Sequence, residues 1–270
     1  MSLSEFEAIA AYFATPALAP NTADVALGIG DDGAVLEVPP GQHLVVVADT
    51  LVEGVHFPVA CPPEWIAHRA LGVNLSDIAA MGAAPRWYTL CISLPQLSRH
   101  WLEEFCRALA AAAPAGLSLV GGDTTRGPLT VSVQILGLVP RGKALRRSGA
   151  QPGDGIYVTG QLGDAAAGLA VQQAGAGGDP RFETLLRRFS HPTGRLREGA
   201  LLRGVATSCI DISDGLLADL GHICQHSAVA AHVQLDQLPL SPALRAWAGD
   251  RALDYATSGG DDYELCFTLP

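Results

Sequence analysis

Apolar residues along this chain fall into two kinds of pattern, short apolar runs typical of β-strands and spacings of three or four residues typical of α-helices. The strand-like runs are "AVLEV", "HLVVVA", "RWYTLCISL", "LSLVGG", "LTVSVQILGLV", "IYVTG" and "YELCFTLP". Helical spacing occurs in "PPEWIAHRALGVNLSDIAAMG", "GDAAAGLAVQQAG" and residues 99–113, 181–189 and 195–206. The order mixes hairpins with helices, and "SCIDISDGLLADLGHICQHS" predicts a strand that feeds a helix at Ser213 to Gly215.

Residues that start or stop elements divide these patterns further. Ser4 followed by Glu7 predicts a capping box that opens a short N-terminal helix. The long helix begins at Pro62, and Gly82 is placed to end it. Residues 39–41, Pro-Pro-Gly, separate "AVLEV" from "HLVVVA" and predict a hairpin with a buried second strand.

The length of the chain predicts two domains. Its 270 residues exceed one common domain length, and 49% hydrophobic residues supply material for two cores. The stretch "RGKALRRSGAQPGDG" is rich in glycine, basic and small residues, as linkers are. We therefore predict an N-terminal domain at 1–140, a linker at 141–153 and a C-terminal domain at 154–270.

Charge and cysteine content exclude several classes of function. The formal net charge is −10, from 17 basic and 27 acidic residues, which does not suit a nucleic-acid partner. The six cysteines form no C-x-x-C pair, so neither a zinc site nor a disulfide framework is indicated. The N-terminus lacks a basic segment and no long apolar run occurs, so we expect no membrane association and a reducing cytoplasmic location.

The stretch "GIGDDG", Gly28 to Gly33, matches the G-x-G-x-x-G pattern of dinucleotide-binding turns. Such a turn requires a following helix, whose N-terminus receives the pyrophosphate. Here an alternating apolar run follows and two prolines stop it, and Asp31 and Asp32 would repel a pyrophosphate. The sequence also contains neither a P-loop nor the motifs of protein kinases.

Aspartates in turns of small residues recur along the chain. They occur in "GIGDDG", "VADTLVEGVHF", "NLSDIAAMG", "GGDTTRGP", "DISDG" and "SGGDDYEL". Asp49, Asp123 and Asp211 come where apolar strand runs end, and a strand end aims a short carboxylate rigidly. Carboxylate oxygens are the ligands that Mg²⁺ prefers, so the set indicates a shared magnesium cluster.

Each motif also has a simpler interpretation, since aspartate beside glycine makes turns and helix caps. That interpretation suits Asp31 and Asp154 as turn residues and Asp164 as an N-cap. It suits Asp77 less well, because this residue lies in the middle of a predicted helix. His56, in "EGVHF", is equally compatible with a ligand-contacting donor and with a structural histidine.

Taken in order, the motifs resemble those of the thiamine-monophosphate kinase family. The resemblance rests on "SEFEAIAAYF", "LGIGDDGAVL", "DTLVEGVHF", "GVNLSDIAAMGA", "LVGGDTTRGPL", "RRSGAQPGDGIYVTG", "IDISDGLLADLGHI" and "SGGDDYELCF", and it covers nearly the whole chain. It implies a PurM-like fold of two α+β domains, shared with aminoimidazole ribonucleotide synthetase, and a homodimer formed through the N-terminal domain. The implied reaction transfers the γ-phosphoryl group of ATP to thiamine monophosphate and yields thiamine diphosphate and ADP.

The resemblance also implies a role for individual residues. The implied Mg²⁺ ligands are Asp32, Asp49, Asp77, Asp123, Asp211 and Asp214. The implied ATP-binding residues are Gly122, Asp123, Arg147 and Ser213, and His56 and Asp261 would face thiamine monophosphate. No residue is assigned as a general base. A phosphate monoester has a second pKa of about 6, so the acceptor is largely deprotonated at neutral pH and the difficulty is to bring two polyanions together.

The chain departs from the family pattern in three places. Ala48 stands where many members have a threonine that contributes a metal ligand. Asp261 replaces a glutamate in the substrate motif, which shortens its reach by one methylene group. Family members usually continue beyond the position of Pro270, so the C-terminal domain is expected to be incomplete and substrate binding impaired.

Three other interpretations stay open. A second ATP-using synthetase of the same superfamily would keep the site and change the acceptor. A divergent or truncated protein would bind Mg-ATP and dimerise without turnover. A metal-dependent phosphohydrolase would need an activated water and usually a histidine ligand, of which the sequence gives little sign.

Overall fold

The computed structural model describes residues 5–20 and 22–270, without the side chains of Glu5 and Phe6. The chain divides into two compact units, one of residues 1–74 and 84–142 and one of residues 75–83 and 143–270. Each unit combines helices with its own β-sheet, so the predicted two-domain α+β class is confirmed.

The first unit contains most of the long strands. Its strands are β1 (Val25–Leu27), β2 (Val35–Leu36), β3 (Gln42–Val52), β4 (Ala84–Leu94), β5 (Ser118–Arg126) and β6 (Thr130–Pro140). Its helices are α1 (Glu5–Ala8), which continues as a π-helical turn at Ile9–Phe13, α2 (Pro63–Ala80) and α3 (Arg99–Ala112). Residues of α2 up to Asn74 belong to the first unit, and those from Leu75 belong to the second.

The second unit has shorter elements. Its strands are β7 (Gly155–Val158), β8 (Ser208–Asp211) and β9 (Leu265–Leu269). Its helices are α4 (Asp164–Gln173), α5 (Glu183–Ser190), α6 (Leu196–Leu202), α7 (Leu216–Ser227), α8 (Pro242–Ala248) and α9 (Ala252–Ser258), with 3₁₀ turns at Pro180–Phe182, Leu235–Gln237 and Gly249–Arg251. Among the described residues, no helix is both long and apolar enough to span a membrane.

The main sheet of the first unit has the strand order β3-β6-β4-β5, with β4 and β5 parallel and the other pairs antiparallel. Along β6, the buried residues Val131, Val133 and Ile135 alternate with more exposed ones, as expected for a strand with one face in the core. Helix α3 begins at the cap Ser98, whose Oγ accepts a hydrogen bond from the backbone N–H of Trp101 at 3.4 Å.

The predicted hairpin of residues 34–48 is wrong. Strand β2 pairs with β1, whereas β3 pairs along its whole length with β6. Strand β3 is also not buried on both faces, since Leu44 is 43% exposed and Val46 is 52% exposed. A distant eleven-residue partner offers far more ladder hydrogen bonds than a two-residue neighbour, so the long-range pairing wins over the local turn.

In the second unit the sheet order is β7-β9-β8, and both neighbours of β9 run antiparallel to it. Apolar residues cover both faces of this sheet. One cluster contains Leu162, Ile210, Leu216, Ile223 and Cys266. The other contains Ala79, Ala80, Leu145, Cys209 and Leu265, and its two alanines come from the end of α2.

Two predictions about aspartates in the fold are wrong. Asp49 and Asp123 lie inside β3 and β5, and not at strand ends, because the residues after each of them continue the hydrogen-bonded ladder. Asp164 is not an N-cap. Gly163 occupies that position with φ 84°, while the buried Asp164 carboxylate accepts a hydrogen bond from Ser241 Oγ at 2.6 Å. Ser4 lies outside the described residues, so the capping box stays a prediction.

Candidate active site

The "GIGDDG" turn and the "GGDT" segment of β5 line one cavity of about 630 Å³ in the first unit. Asp32, Gly122 and Asp123 are among the lining residues, together with Ile9 and Phe13. Both carboxylates are exposed. The structure thus brings together two of the three aspartates that were predicted as metal ligands in this unit.

The turn is built to point Asp32 outward. Asp31 Oδ1 accepts the backbone N–H of Asp32 at 2.8 Å, and Gly30 has φ 125°, a conformation that favours glycine. Strand β2 follows the turn at Val35, so no helix N-terminus is present to receive a pyrophosphate. The dinucleotide interpretation is therefore excluded, and Asp31 acts as the turn residue.

Gly122 is required by close backbone packing. Its φ is 149°, and a Cβ atom at this position would lie 1.9 Å from the carbonyl oxygen of Leu90 on β4. Only a glycine allows β5 to approach β4 this closely immediately before Asp123. The neighbouring Gly121 has open space around its Cβ position.

Asp49 on β3 and His56 in the turn after it lie at the opposite edge of the main sheet from β5. Asp49 is half-buried on β3, opposite Val133, and does not line the cavity of Asp32 and Asp123. His56 lies in the turn after β3, where its Nδ1 accepts the backbone N–H of Val52 at 3.0 Å. In the neutral ring this bond places the proton on Nε2, which makes Nε2 the donor available to a ligand.

The second unit contains the other three predicted metal ligands, Asp77, Asp211 and Asp214. Ser76, in the last turns of α2, donates from Oγ to Asp211 Oδ2 at 2.8 Å, and both residues are buried. This bond brings the end of α2, with the half-buried Asp77, next to the end of β8. Asp214 follows three residues later and is exposed.

Electrostatics at Asp211 indicate a place for positive charge. The pKa of Asp211 is raised to about 6, mainly by burial and also by the charge of Asp219, against the lowering effects of the Ser76 hydrogen bond and the charge of Arg147. A buried carboxylate beside a second one is stabilised by a cation. The donor set of carboxylate oxygens fits Mg²⁺.

Asp261 lies in a sharply turned segment next to this loop. Gly260, Asp261 and Tyr263 all have positive φ, at 70°, 62° and 51°. The Asp261 N–H donates to the Ser213 carbonyl at 2.8 Å, so the predicted substrate residue and the predicted ATP residue Ser213 are adjacent. The Tyr263 hydroxyl donates to Asp261 Oδ1 at 2.9 Å and helps to orient the carboxylate.

Arg147 is held by the end of α7. The Ser227 hydroxyl donates to the Arg147 carbonyl at 3.3 Å and accepts the N–H groups of Gly149 and Ala150 at 3.1 and 3.2 Å. The side chain of Arg147 is exposed, and its charge acts on Asp211. An exposed guanidinium near the carboxylate loop is suited to a phosphate.

Sequence reasoning missed a buried charge cluster behind the Asp261 turn. Glu264 is fully buried, forms ion pairs with Arg188 and Arg195, and accepts a hydrogen bond from Thr159 Oγ1 at 2.5 Å. Its signal in the sequence is an acid directly before the apolar run "LCF". A buried acid of this kind persists only when cations and donors surround it.

Both units of the chain resemble domains of known proteins. Residues 30–139 match the N-terminal domain of the AIR synthase related proteins, and residues 151–268 match their C-terminal domain. These two matches define the class of protein. A thiamine-monophosphate kinase of Salmonella typhimurium is 48% identical over 274 residues, which cover 100% of this chain and 84% of the relative.

Solved structures agree with this class. The crystal structure of thiamine-monophosphate kinase from Stenotrophomonas maltophilia is 50% identical, with a TM-score of 0.91 over 100% of this chain and 87% of that one. The structure of AaThiL complexed with AMPPCP and TMP is 34% identical, with a TM-score of 0.82 over 90% of this chain and 80% of that one. The chain belongs to the thiamine-monophosphate kinase family.

Proposed function

We propose that the protein transfers the γ-phosphoryl group of ATP to thiamine monophosphate. The observation that most supports this is that Asp32 and Asp123 line the same cavity. The residue before Asp123 is Gly122, which is required because β4 and β5 pack closely at this position. Membership of the kinase family and the complex of AaThiL with AMPPCP and TMP support the identity of both substrates.

We propose Mg²⁺ as the ion that these carboxylates bind. Asp32 and Asp123 would bind it at the cavity of the first unit. Asp49 on β3, outside that cavity, and Asp77, Asp211 and Asp214 of the second unit are the further proposed ligands. Bound Mg²⁺ would neutralise phosphate oxygens and align the two reactants for in-line transfer. The support is the donor set itself and the raised pKa of Asp211, whose burial calls for a neighbouring cation.

The remaining predicted residues have roles in binding and orientation. Arg147 and Ser213 would contact ATP with Gly122 and Asp123, and the Nε2 donor of His56 and the carboxylate of Asp261 would contact thiamine monophosphate. No side chain needs to remove a proton, since the acceptor phosphate is largely deprotonated at neutral pH.

A homodimer and a cytoplasmic location are also part of the proposal. Strand β3 lies at an edge of the main sheet and exposes Leu44 and Val46, an apolar edge that a second copy of the chain would cover. The six cysteines form no disulfide within the described part of the chain, as in a reducing compartment. Light scattering should give a dimer for the wild type and a monomer for Val46→Lys.

Incubation with Mg-ATP and thiamine monophosphate tests the reaction itself. Chromatography should show equal amounts of thiamine diphosphate and ADP. ADP without thiamine diphosphate would overturn the kinase proposal and favour a phosphohydrolase. Mg-ATP binding without any product would favour a binding protein, and product from a different acceptor would favour another synthetase of the class.

A further inference from the structure

The loop between β8 and α7 carries a set of hydrogen bonds that no metal or substrate explains. The backbone N–H groups of Ser213, Asp214 and Gly215 all donate to one oxygen, Asp219 Oδ2, at 3.0, 3.0 and 3.2 Å. Asp219 lies in the first turn of α7 and is 3% exposed. A single buried carboxylate thus binds three consecutive backbone donors.

Such a set of donors is ordinarily an anion site. Consecutive N–H groups at the start of a helix attract phosphates and carboxylates, because the donors and the helix dipole both favour negative charge. Here the chain's own carboxylate takes that place from within. A phosphate therefore finds these donors already occupied.

The same bonds determine what the loop presents outward. With their N–H groups turned inward to Asp219, Ser213 and Asp214 expose their side chains to solvent. The other side of the loop is held by the Asp261 turn, whose N–H donates to the Ser213 carbonyl at 2.8 Å. A Cβ atom on Gly260 would lie 2.6 Å from that same carbonyl oxygen, so the two segments are in close contact.

We infer that Asp219 is a positioning residue that converts an anion-binding helix start into a cation-binding loop, by holding the Asp214 carboxylate outward. The inference deepens the proposed function and rests on it for the identity of the cation. Asp219 touches neither ATP nor Mg²⁺ in this scheme. It acts through the backbone of residues 213–215.

The closest matched control is Asp164, a second buried aspartate of the same unit. Asp164 is 2% exposed and accepts a hydrogen bond from Ser241 Oγ, whereas the N–H groups of the loop donate to Asp219. Asp164→Asn removes a buried charge as Asp219→Asn does, and so reports the general cost of that change. Asp219→Asn keeps one acceptor oxygen, whereas Asp219→Ala removes all of them.

Two measurements on the full chain test the inference. Amide hydrogen exchange in the metal-free protein should be about tenfold or more faster at residues 213–215 in Asp219→Ala, from loss of bonds to a charged acceptor. The Mg²⁺ concentration that half-maximally raises the melting temperature should increase about tenfold in Asp219→Asn and about a hundredfold in Asp219→Ala. Asp164→Asn should change neither quantity.

Each outcome decides the matter. An unchanged exchange rate in Asp219→Ala would show that Asp219 does not fix residues 213–215. Faster exchange with an unchanged Mg²⁺ midpoint would show that fixing this loop does not contribute to cation binding. Equal effects of Asp164→Asn and Asp219→Asn would leave Asp219 a structural residue only. If Mg²⁺ fails to stabilise the wild type, the proposed metal site fails, while the exchange rates still decide whether Asp219 holds the loop.

Discussion

The two units present carboxylates in physically different ways. In the first unit, Asp32 and Asp123 are exposed around an open cavity, and glycines with positive φ shape the backbone beside them. In the second unit, the exposed Asp214 and the half-buried Asp261 lie near buried acids, among them Asp219 and Glu264.

The two units therefore use different means to fix the position of a carboxylate. Backbone geometry alone is enough to place a carboxylate that stays in water, since no charge is desolvated. A carboxylate on a short loop needs further hydrogen-bond acceptors and donors to fix that loop. In the second unit buried acids supply them, and burying an acid costs free energy unless partners surround it. The first unit should therefore be sensitive to glycine substitutions and the second to changes of buried charge.

The largest effect is expected at Asp32, the exposed carboxylate that we propose as an Mg²⁺ ligand of the first unit. Asp32→Asn should lower kcat/KM for Mg-ATP at least about a thousandfold, since it removes transition-state stabilisation by a bound cation. Steady-state kinetics with thiamine monophosphate measures this. The matched variant Asp31→Asn keeps the acceptor for the Asp32 N–H and should retain activity. Equal losses in both would mean that the turn, and not the Asp32 carboxylate, matters.

In the second unit, Glu264→Gln tests the buried cluster. Removing this charge leaves Arg188 and Arg195 without their shared partner and should lower the free energy of unfolding by about 3–5 kcal/mol. Denaturant unfolding measures the change. Asp179→Asn breaks an exposed ion pair with Arg181 in the same unit and should leave the transition almost unmoved. A small effect at Glu264 would remove the contrast between the units.

The pH dependence of stability sharpens the same contrast. The pKa of Asp262 is raised from 3.8 to about 7, mainly by burial. The charges of Asp164 and Glu264 also raise this pKa, whereas the hydrogen bond from the Gly163 N–H and the charge of Arg188 lower it. Because the folded state binds this proton more tightly than the unfolded state, its contribution to stability is complete below pH 4 and declines as pH rises towards 7. The change corresponds to at most roughly 4 kcal/mol.

Asp262→Asn should therefore gain stability relative to the wild type as pH rises from 4 to 7, and the difference should level off above pH 7. Melting temperatures across this range measure it. The exposed Asp254, also in the second unit, supplies the control Asp254→Asn, whose difference from the wild type should not vary in this way. A constant difference for Asp262→Asn would show that its carboxyl is ionised throughout.

The smallest of these effects concerns backbone geometry in the first unit. Gly122→Ala should destabilise the protein by about 2–3 kcal/mol, because the φ of 149° and the Leu90 carbonyl leave no room for a methyl group. Gly121→Ala, with open space at the Cβ position, should be nearly neutral. Thermal unfolding of the two variants measures the difference, and similar melting temperatures would show that β5 adjusts easily.

Local sequence patterns predicted much of the fold correctly. Helix α2 lies between the predicted Pro62 and Gly82, and α3 starts after Ser98, because caps and breakers act within a few residues. The hairpin of residues 34–48 was predicted wrongly, since the partner of β3 is β6, about ninety positions later in the chain. No local pattern contains that pairing.

The residues of the site also divide into those that the sequence motifs predicted and those that they did not. Motif order indicated the six carboxylates and the residues at Arg147, Ser213, His56 and Asp261, and whether they bind as a set stays a prediction. The supporting residues Asp219 and Glu264 were not predicted. Their role depends on which backbone donors and arginines the fold brings to them, and an acid in an apolar stretch does not reveal its partners.

The division of α2 between the two units has a practical consequence for protein fragments. Residues 75–83 belong to the second unit, and Ala79 and Ala80 contribute to its core beside Leu145, Cys209 and Leu265. A gene fragment cut at residue 143 would discard that part of the core and also Ser76, the donor to Asp211. To be stable when expressed alone, the second unit would need residues 75–83 joined to it.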